Sequence, residues 1–107
     1  KEEDSKTIRD RILKARQVQS ERYCREGIST NAQISMQRIE EFCTLGSAEK
    51  EIMEKAYERL GLSARSYHKV LRVARTIADL EEKEKIEGKH LREALSYRNI
   101  NHGYRRH

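Results

Sequence analysis

An all-α fold is predicted by three observations. The 107 residues contain no proline and only five glycines, so few positions interrupt a helix. The apolar residues recur at the three-and-four spacing of a helical face. Runs of alternating β-branched residues, the mark of strands, are absent. Hydrophobic residues make up only 36% of the chain and charged residues 38%, which predicts a thin core and long exposed helix faces. The length fits one domain, a compact bundle of about five helices with short connections. The domain is expected to span residues 1–107, ordered over about 5–98, with a frayed tail at 99–107. The chain starts at Lys1 and is expected to be an excerpt of something longer.

The first helix is predicted from Asp4 or Ser5 to about Glu26. Ile8, Ile12, Ala15 and Tyr23 trace its inner stripe, with Val18 at the edge. Arg9, Arg11, Lys14, Arg16, Arg22 and Arg25 surround the stripe and read most simply as a solvated face. Gly27 is the natural stop. Ile28 to Ile34 is a polar connector with an apolar anchor at each end. Ser35 can cap a short helix from Met36 to Cys43, with Met36, Ile39, Phe42 and Cys43 inward. After the break at Thr44 to Gly46, Ser47 caps a helix to Leu60. Glu49 and Glu51 open it, as the helix dipole favours, and Ile52, Met53, Ala56, Tyr57 and Leu60 form its inner face.

Gly61 ends that helix and Ser63 caps the next, which is predicted to run to about Glu82. It is the strongest helix of the chain. Tyr67, Val70, Leu71, Ala74, Ile77 and Ala78 lie on one face. Arg65, Lys69 and Arg72 cluster on the other at about 100° per residue, with Arg75 on the flank. Arg65 falls in the first turn, where a cation opposes the positive end of the dipole. A phosphate bound nearby would resolve that conflict; from the residue alone, a solvated arginine is the simpler reading. Lys69, Arg72 and Arg75 are candidates for a basic face. A charged link follows, Ile86 anchors it, and a last helix from Gly88 to Tyr97 buries Leu91, Ala94 and Leu95.

The net charge is +5 and unevenly spread. Residues 27–60 carry four basic and six acidic side chains, whereas residues 61–80 carry four basic ones and a single acid. Residues 98–107 carry three arginines and no acid. An anionic partner near either basic segment is consistent with this pattern. Catalytic constellations are missing: the sequence has no phosphate-binding glycine loop, no GxSxG and no HExxH. His68 has no companion at metal-ligand spacing; it and His90 lie on different helices, and His102 and His107 lie in the tail. Cys24 and Cys43 fit no zinc spacing, and a reduced pair is the simpler reading, with a disulfide left open. No catalytic residue and no metal site is assigned. No run reaches the length of a transmembrane helix.

Several spaced segments, taken in order, carry a family resemblance. RDRILKARQVQSERY fits an ARxxQxxRY-type helix. NAQIS and FCTLGSAEKEIMEKAYERLGLSAR follow, then YHKVLRVARTIADL, an acid-rich spacer, an isoleucine, and HLREALSYR. Together, over residues 8–98, they resemble the C-terminal helical lid of magnesium-chelatase-like AAA+ ATPases, in the ComM/YifB branch. The resemblance implies a lid that follows a nucleotide-binding α/β core. That core would carry ATP, Mg2+, the phosphate loop and the arginine finger, so neither cofactor is expected on this chain alone. It implies that Arg65, in the pattern S-x-R, is the sensor-2 arginine that reaches ATP phosphates. It also implies as partners the N-terminal AAA+ core of the same chain and neighbouring subunits of a homo-oligomeric ring. For the ComM-like branch it implies DNA remodelling by branch migration, in the cytoplasm. Arg16 and Gln19 are read as structural, or as part of the core–lid junction. The isolated chain is then a fragment of an ATPase and not itself an enzyme. Two other readings stand beside this one. Residues 61–78 also fit a turn and recognition helix of a small helix-turn-helix-like DNA-binding domain, with Arg65, Lys69 and Arg72 outward. The third is a purely structural or partner-binding bundle.

Overall fold

The computed structural model describes residues 5–105, with side chains described for residues 5–97. Five α-helices appear among the described residues: α1 (Ser5–Arg22), α2 (Ile39–Phe42), α3 (Ser47–Leu60), α4 (Ala64–Leu80) and α5 (Gly88–Arg105). Two 3-10 turns, Asn31–Gln33 and Met36–Arg38, lie between α1 and α2. No strand occurs among the described residues. The fold is the all-α bundle expected from the sequence. No helix among the described residues is long and apolar enough to cross a membrane.

α4 is the centre of the bundle. It packs against α1, α2, α5 and the Asn31–Gln33 turn, while α3 leans on α5. Val70, Leu71, Ala74, Ile77 and Ala78 of α4 are buried, as the periodicity predicted. They meet Tyr23, Ile34, Ile39, Cys43, Met53, Ile86, Leu91 and Ala94 in one core. Tyr23 and Phe42 pack edge to face with ring centroids 5.0 Å apart, and the Arg38 guanidinium lies 4.9 Å from the Phe42 ring centroid. Both are favourable aromatic geometries.

The connections follow local chemistry. Gly61 adopts φ +61, a left-handed conformation that costs glycine little. It lets the Leu62 N–H bond back to the Tyr57 carbonyl at 3.2 Å and drives Leu62 into the core. α4 ends the same way without a glycine. Lys83 N–H donates to Ala78 O at 2.8 Å and Glu82 N–H to Asp79 O at 3.0 Å, with Glu82 at φ +60. At Gly88 a Cβ would come within 3.0 Å of Ile52 Cδ1, so the missing side chain permits the close approach of α3 and α5.

Several local expectations are corrected. α1 stops at Arg22 and Gly27 (φ +79) closes the turn that follows it. Only Ala15 and Gln19 of α1 are buried; Ile8 and Ile12 are 44% and 38% exposed. The stripe is real, but only its C-terminal half has a neighbour to pack against. Met36, Tyr57 and Leu60 are likewise exposed rather than inward. The predicted Met36–Cys43 helix divides into a 3-10 turn and α2. Gly46, not Ser47, occupies the N-cap of α3. α4 stops at Leu80, short of the expected Glu82, and α5 continues past the expected end near Tyr97 to Arg105. Of the expected tail at 99–107, residues 106–107 lie outside the described residues.

Both cysteines are free, Cys24 exposed and Cys43 buried. Burial pushes the Cys43 thiol up to about 11, against the opposing pull of Arg75, Arg22 and Arg72. The thiolate is the reactive form, so Cys43 should resist alkylation at pH 8 while Cys24 reacts. Intact mass after iodoacetamide should show one label on the native protein and two in denaturant. Two labels on the native protein would place Cys43 outside the core.

Candidate functional site

The site grows from the two ends of α4. At its start, Ser63 is the N-cap and its Oγ accepts the Ser66 N–H at 3.1 Å. That bond fixes the direction in which the first turn leaves the loop. Arg65 sits in that turn, exposed. It makes no ion pair or side-chain hydrogen bond with any of the described residues. Lys69, one turn on, is also exposed.

The next two cations are not on an outer face. Arg72 is half-buried and its Nε donates to Ile34 O at 2.9 Å, tying α4 to the connector. Arg75 is 5% exposed. Its Nη1 donates to Glu84 O at 2.9 Å and its Nη2 to Lys83 O at 2.8 Å, holding the α4–α5 loop. The predicted basic face of Lys69, Arg72 and Arg75 is thereby reduced to Lys69. Helical angle alone cannot separate a flank from a buried position when neighbours pack on several sides, as they do around α4.

At the far end of α4 lies a buried polar junction centred on Asp79, whose side chain is 1% exposed. Arg22 at the end of α1 grips it with two prongs, Nη2 to Oδ1 at 2.8 Å and Nη1 to Oδ2 at 3.0 Å. Arg75 Nη2 lies 3.1 Å from Oδ1. Asn31 Nδ2 donates to Oδ2 at 2.9 Å and lies 3.0 Å from Thr76 Oγ1. Asn31 Oδ1 accepts from Arg22 Nη1 at 3.1 Å and from the Tyr23 hydroxyl. The Asn31 backbone N–H donates to Gln19 Oε1 at 3.1 Å. Asn31 thus uses its backbone N–H and both ends of its amide, as a fully buried asparagine must. The hydrogen bonds to Asp79 hold the Arg22 guanidinium more firmly charged than usual, against the opposing effect of burial. Burial raises the Tyr23 hydroxyl above its ordinary range, so it stays protonated and available as a donor.

A second buried group closes the start of α5. His90 is fully buried; its Nδ1 accepts the Glu87 N–H at 2.8 Å and its Nε2 lies 3.0 Å from Glu81 Oε1. An acceptor role for Nδ1 places the proton on Nε2, which donates to Glu81. That bond, with Lys89 at 3.2 Å, holds the Glu81 carboxyl below its ordinary range. His90 is structural. His68 borders an open cleft between α2, α3 and α4, lined also by Cys43, Lys50, Glu54 and Tyr67. Among the described residues no three His, Cys, Asp or Glu side chains come together as a metal site would require.

Gln19 and Arg16, read from the sequence as structural or as part of the core–lid junction, separate: Gln19 is buried against Asn31 and Arg16 is exposed. Sequence reasoning missed Arg22, Asn31 and Asp79. One signal was available. Asp79 is the single acid of residues 61–80 and directly follows the buried positions Ile77 and Ala78. An acid there needs partners.

Residues 2–98 match the family described as magnesium chelatase, subunit ChlI C-terminal. The chain belongs to that family. The match takes in Arg65 and every residue of the junction. Over 96 residues, 90% of this chain, it is 43% identical to the competence protein ComM of Haemophilus influenzae. Over 98 residues, 92% of this chain, it is 39% identical to the YifB protein of Escherichia coli. These alignments cover 18% and 19% of the two relatives, so the chain spans less than a fifth of their length. The magnesium chelatase C-terminal domain described here is an all-α bundle joined internally by the Asp79 junction.

Proposed function

We propose that this domain is the lid of an AAA+ ATPase ring and that Arg65 is its sensor-2 contact to nucleotide phosphate. The observation that carries the proposal is the placement of Arg65. It is an exposed cation without a partner among the described residues, on the first turn of the helix at the centre of the bundle. A guanidinium offers a planar fork of donors matched to phosphate oxygens. One arginine suits a single contact to ATP and nothing more; the remaining phosphate and Mg2+ contacts belong to the rest of the parent protein. Loss of the γ-phosphate changes what Arg65 can bond to, which gives the lid two states of different energy. As the family resemblance implies, this reading takes the ring to remodel DNA, with the core of the same chain and neighbouring subunits as partners. The parent is read as a cytoplasmic protein.

The test is Arg65→Ala in the full-length parent protein. At saturating ATP, turnover should fall about tenfold or more, corresponding to at least ~1.4 kcal/mol of transition-state stabilisation. The isolated domain should keep its melting temperature, since an exposed substitution away from special features stays within about 0.5 kcal/mol. Wild-type turnover in that variant would refute the assignment. The helix-turn-helix reading loses Arg72 from its three outward cations. Duplex DNA binding by the isolated chain, weakening steeply with salt, would nevertheless restore it.

A further inference from the structure

We infer that Arg22, Asn31 and Asp79 are positioning residues for Arg65: the junction sets the angle of α4 relative to α1 and so places Arg65. The inference rests on the proposed role of Arg65.

Three observations carry it. First, α1 is held by little apolar burial. Ala15 and Gln19 are its only buried residues, and Ile8, Ile12, Leu13 and Val18 are exposed. Apart from Tyr23, which follows its last turn and enters the core, what fastens α1 to α4 is the two-pronged Arg22–Asp79 contact and the Gln19–Asn31–Asp79 chain of hydrogen bonds. Apolar contacts tolerate sliding, whereas a two-pronged guanidinium–carboxylate pair has one good geometry. Second, Asp79 is shared. Arg22 reaches it from α1 and Arg75 from its own helix, while Arg75 also holds the carbonyls of Lys83 and Glu84. One carboxylate therefore registers α1, α4 and the α4–α5 loop together. Third, Arg65 and Asp79 lie at opposite ends of α4. At about 1.5 Å per residue they are about 21 Å apart along the axis. A tilt of about 5° at the Asp79 end moves the Arg65 end by ~1.8 Å, whereas a charged hydrogen bond to phosphate tolerates only a few tenths of an ångström around ~2.8 Å. Small errors at the junction are thus large errors at the phosphate.

The experiment is a thermodynamic cycle in the full-length parent protein, with Arg22→Gln, Arg65→Ala and the double variant, reading kcat and KM for ATP. Arg22→Gln should lower kcat about tenfold when Arg65 is present and less than twofold when Arg65 is already alanine, because residues acting through one contact are not additive. Equal losses in both backgrounds, or no loss in either, would overturn the inference while leaving Arg65 in its role. No effect of Arg65→Ala itself would instead remove the sensor reading, and the inference with it. If Arg22→Gln loses its helical circular dichroism, Arg22→Lys takes its place in the cycle, since it keeps the cation beside Asp79 but not the fork. That variant should recover melting temperature without recovering kcat; parallel recovery of both would mark the junction as merely structural.

Discussion

Replacing Asp79 with alanine is expected to destabilise the domain by about 3–5 kcal/mol, the cost of removing one partner from a buried ion pair. The side chain is 1% exposed and contacts Arg22, Arg75 and Asn31. Its loss leaves two guanidinium groups and an amide donor without their shared acceptor. Arg75 suffers most, being 5% exposed and unable to swing out while it holds the α4–α5 loop. Arg22 is less trapped, because a fifth of its side chain remains accessible. For a domain of this size each kcal/mol corresponds to roughly 4–8 °C, so thermal unfolding should move down by more than ~12 °C. A shift below about 4 °C would mean that water screens the junction far more than its burial indicates. Removing the Arg22 charge together with Asp79 should cost less than removing Asp79 alone, because only Arg75 is then left without its carboxylate. Asp79→Leu combined with Arg22→Met should therefore be more stable than Asp79→Ala. The same double variant would lose the directional contact on which the placement of Arg65 depends, so stability and activity would part company.

Leu71→Ala is the second large effect, at about 2–5 kcal/mol for a truncated core leucine. Leu71 is 3% exposed and sits in the middle of α4, among the residues that meet the core. It also borders the open cleft beside His68. Water and neighbouring side chains can relax into that opening, so the cost should fall in the lower half of the range. Leu91→Ala offers the contrast. Leu91 is completely buried on α5, so the void it leaves has no such outlet and the loss should lie in the upper half. Urea unfolding of both variants measures the difference through the midpoint at constant m-value. Equal losses at the two sites would show that the cleft does not relieve the Leu71 cavity.

α4 was legible from the sequence because its stripe of Tyr67, Val70, Leu71, Ala74, Ile77 and Ala78 is long, periodic and bounded by Ser63 and Gly61. The structure returns a helix from Ala64 to Leu80, the Ser63 cap, and burial of all but Tyr67, which is half-buried. α1 was legible as a helix but not in its burial. Periodicity marks which side of a helix is apolar and says nothing about how far along its length a neighbour extends. Ile8 and Ile12 therefore looked identical to Ala15 in sequence and are not so in space. Arg75 and Asp79 looked like two more charges on a charged protein. Their burial depends on Arg22 and Asn31 arriving from far along the chain, which no local pattern encodes.

The sequence by itself determined the class of the fold and the position of α4. These follow from local spacing, capping residues and the absence of proline, all of which act within a few residues. It also carried the family, through ordered segments over residues 8–98, and the family match spans residues 2–98. Only the tertiary structure decided which arginines face solvent and which are structural. Arg65 remains outside, while Arg22, Arg72 and Arg75 turn in to Asp79 and to backbone carbonyls. The reason is physical: a guanidinium can be buried only where acceptors converge on it, and here those acceptors converge only once α1, the Asn31 turn and the α4–α5 loop have folded around α4.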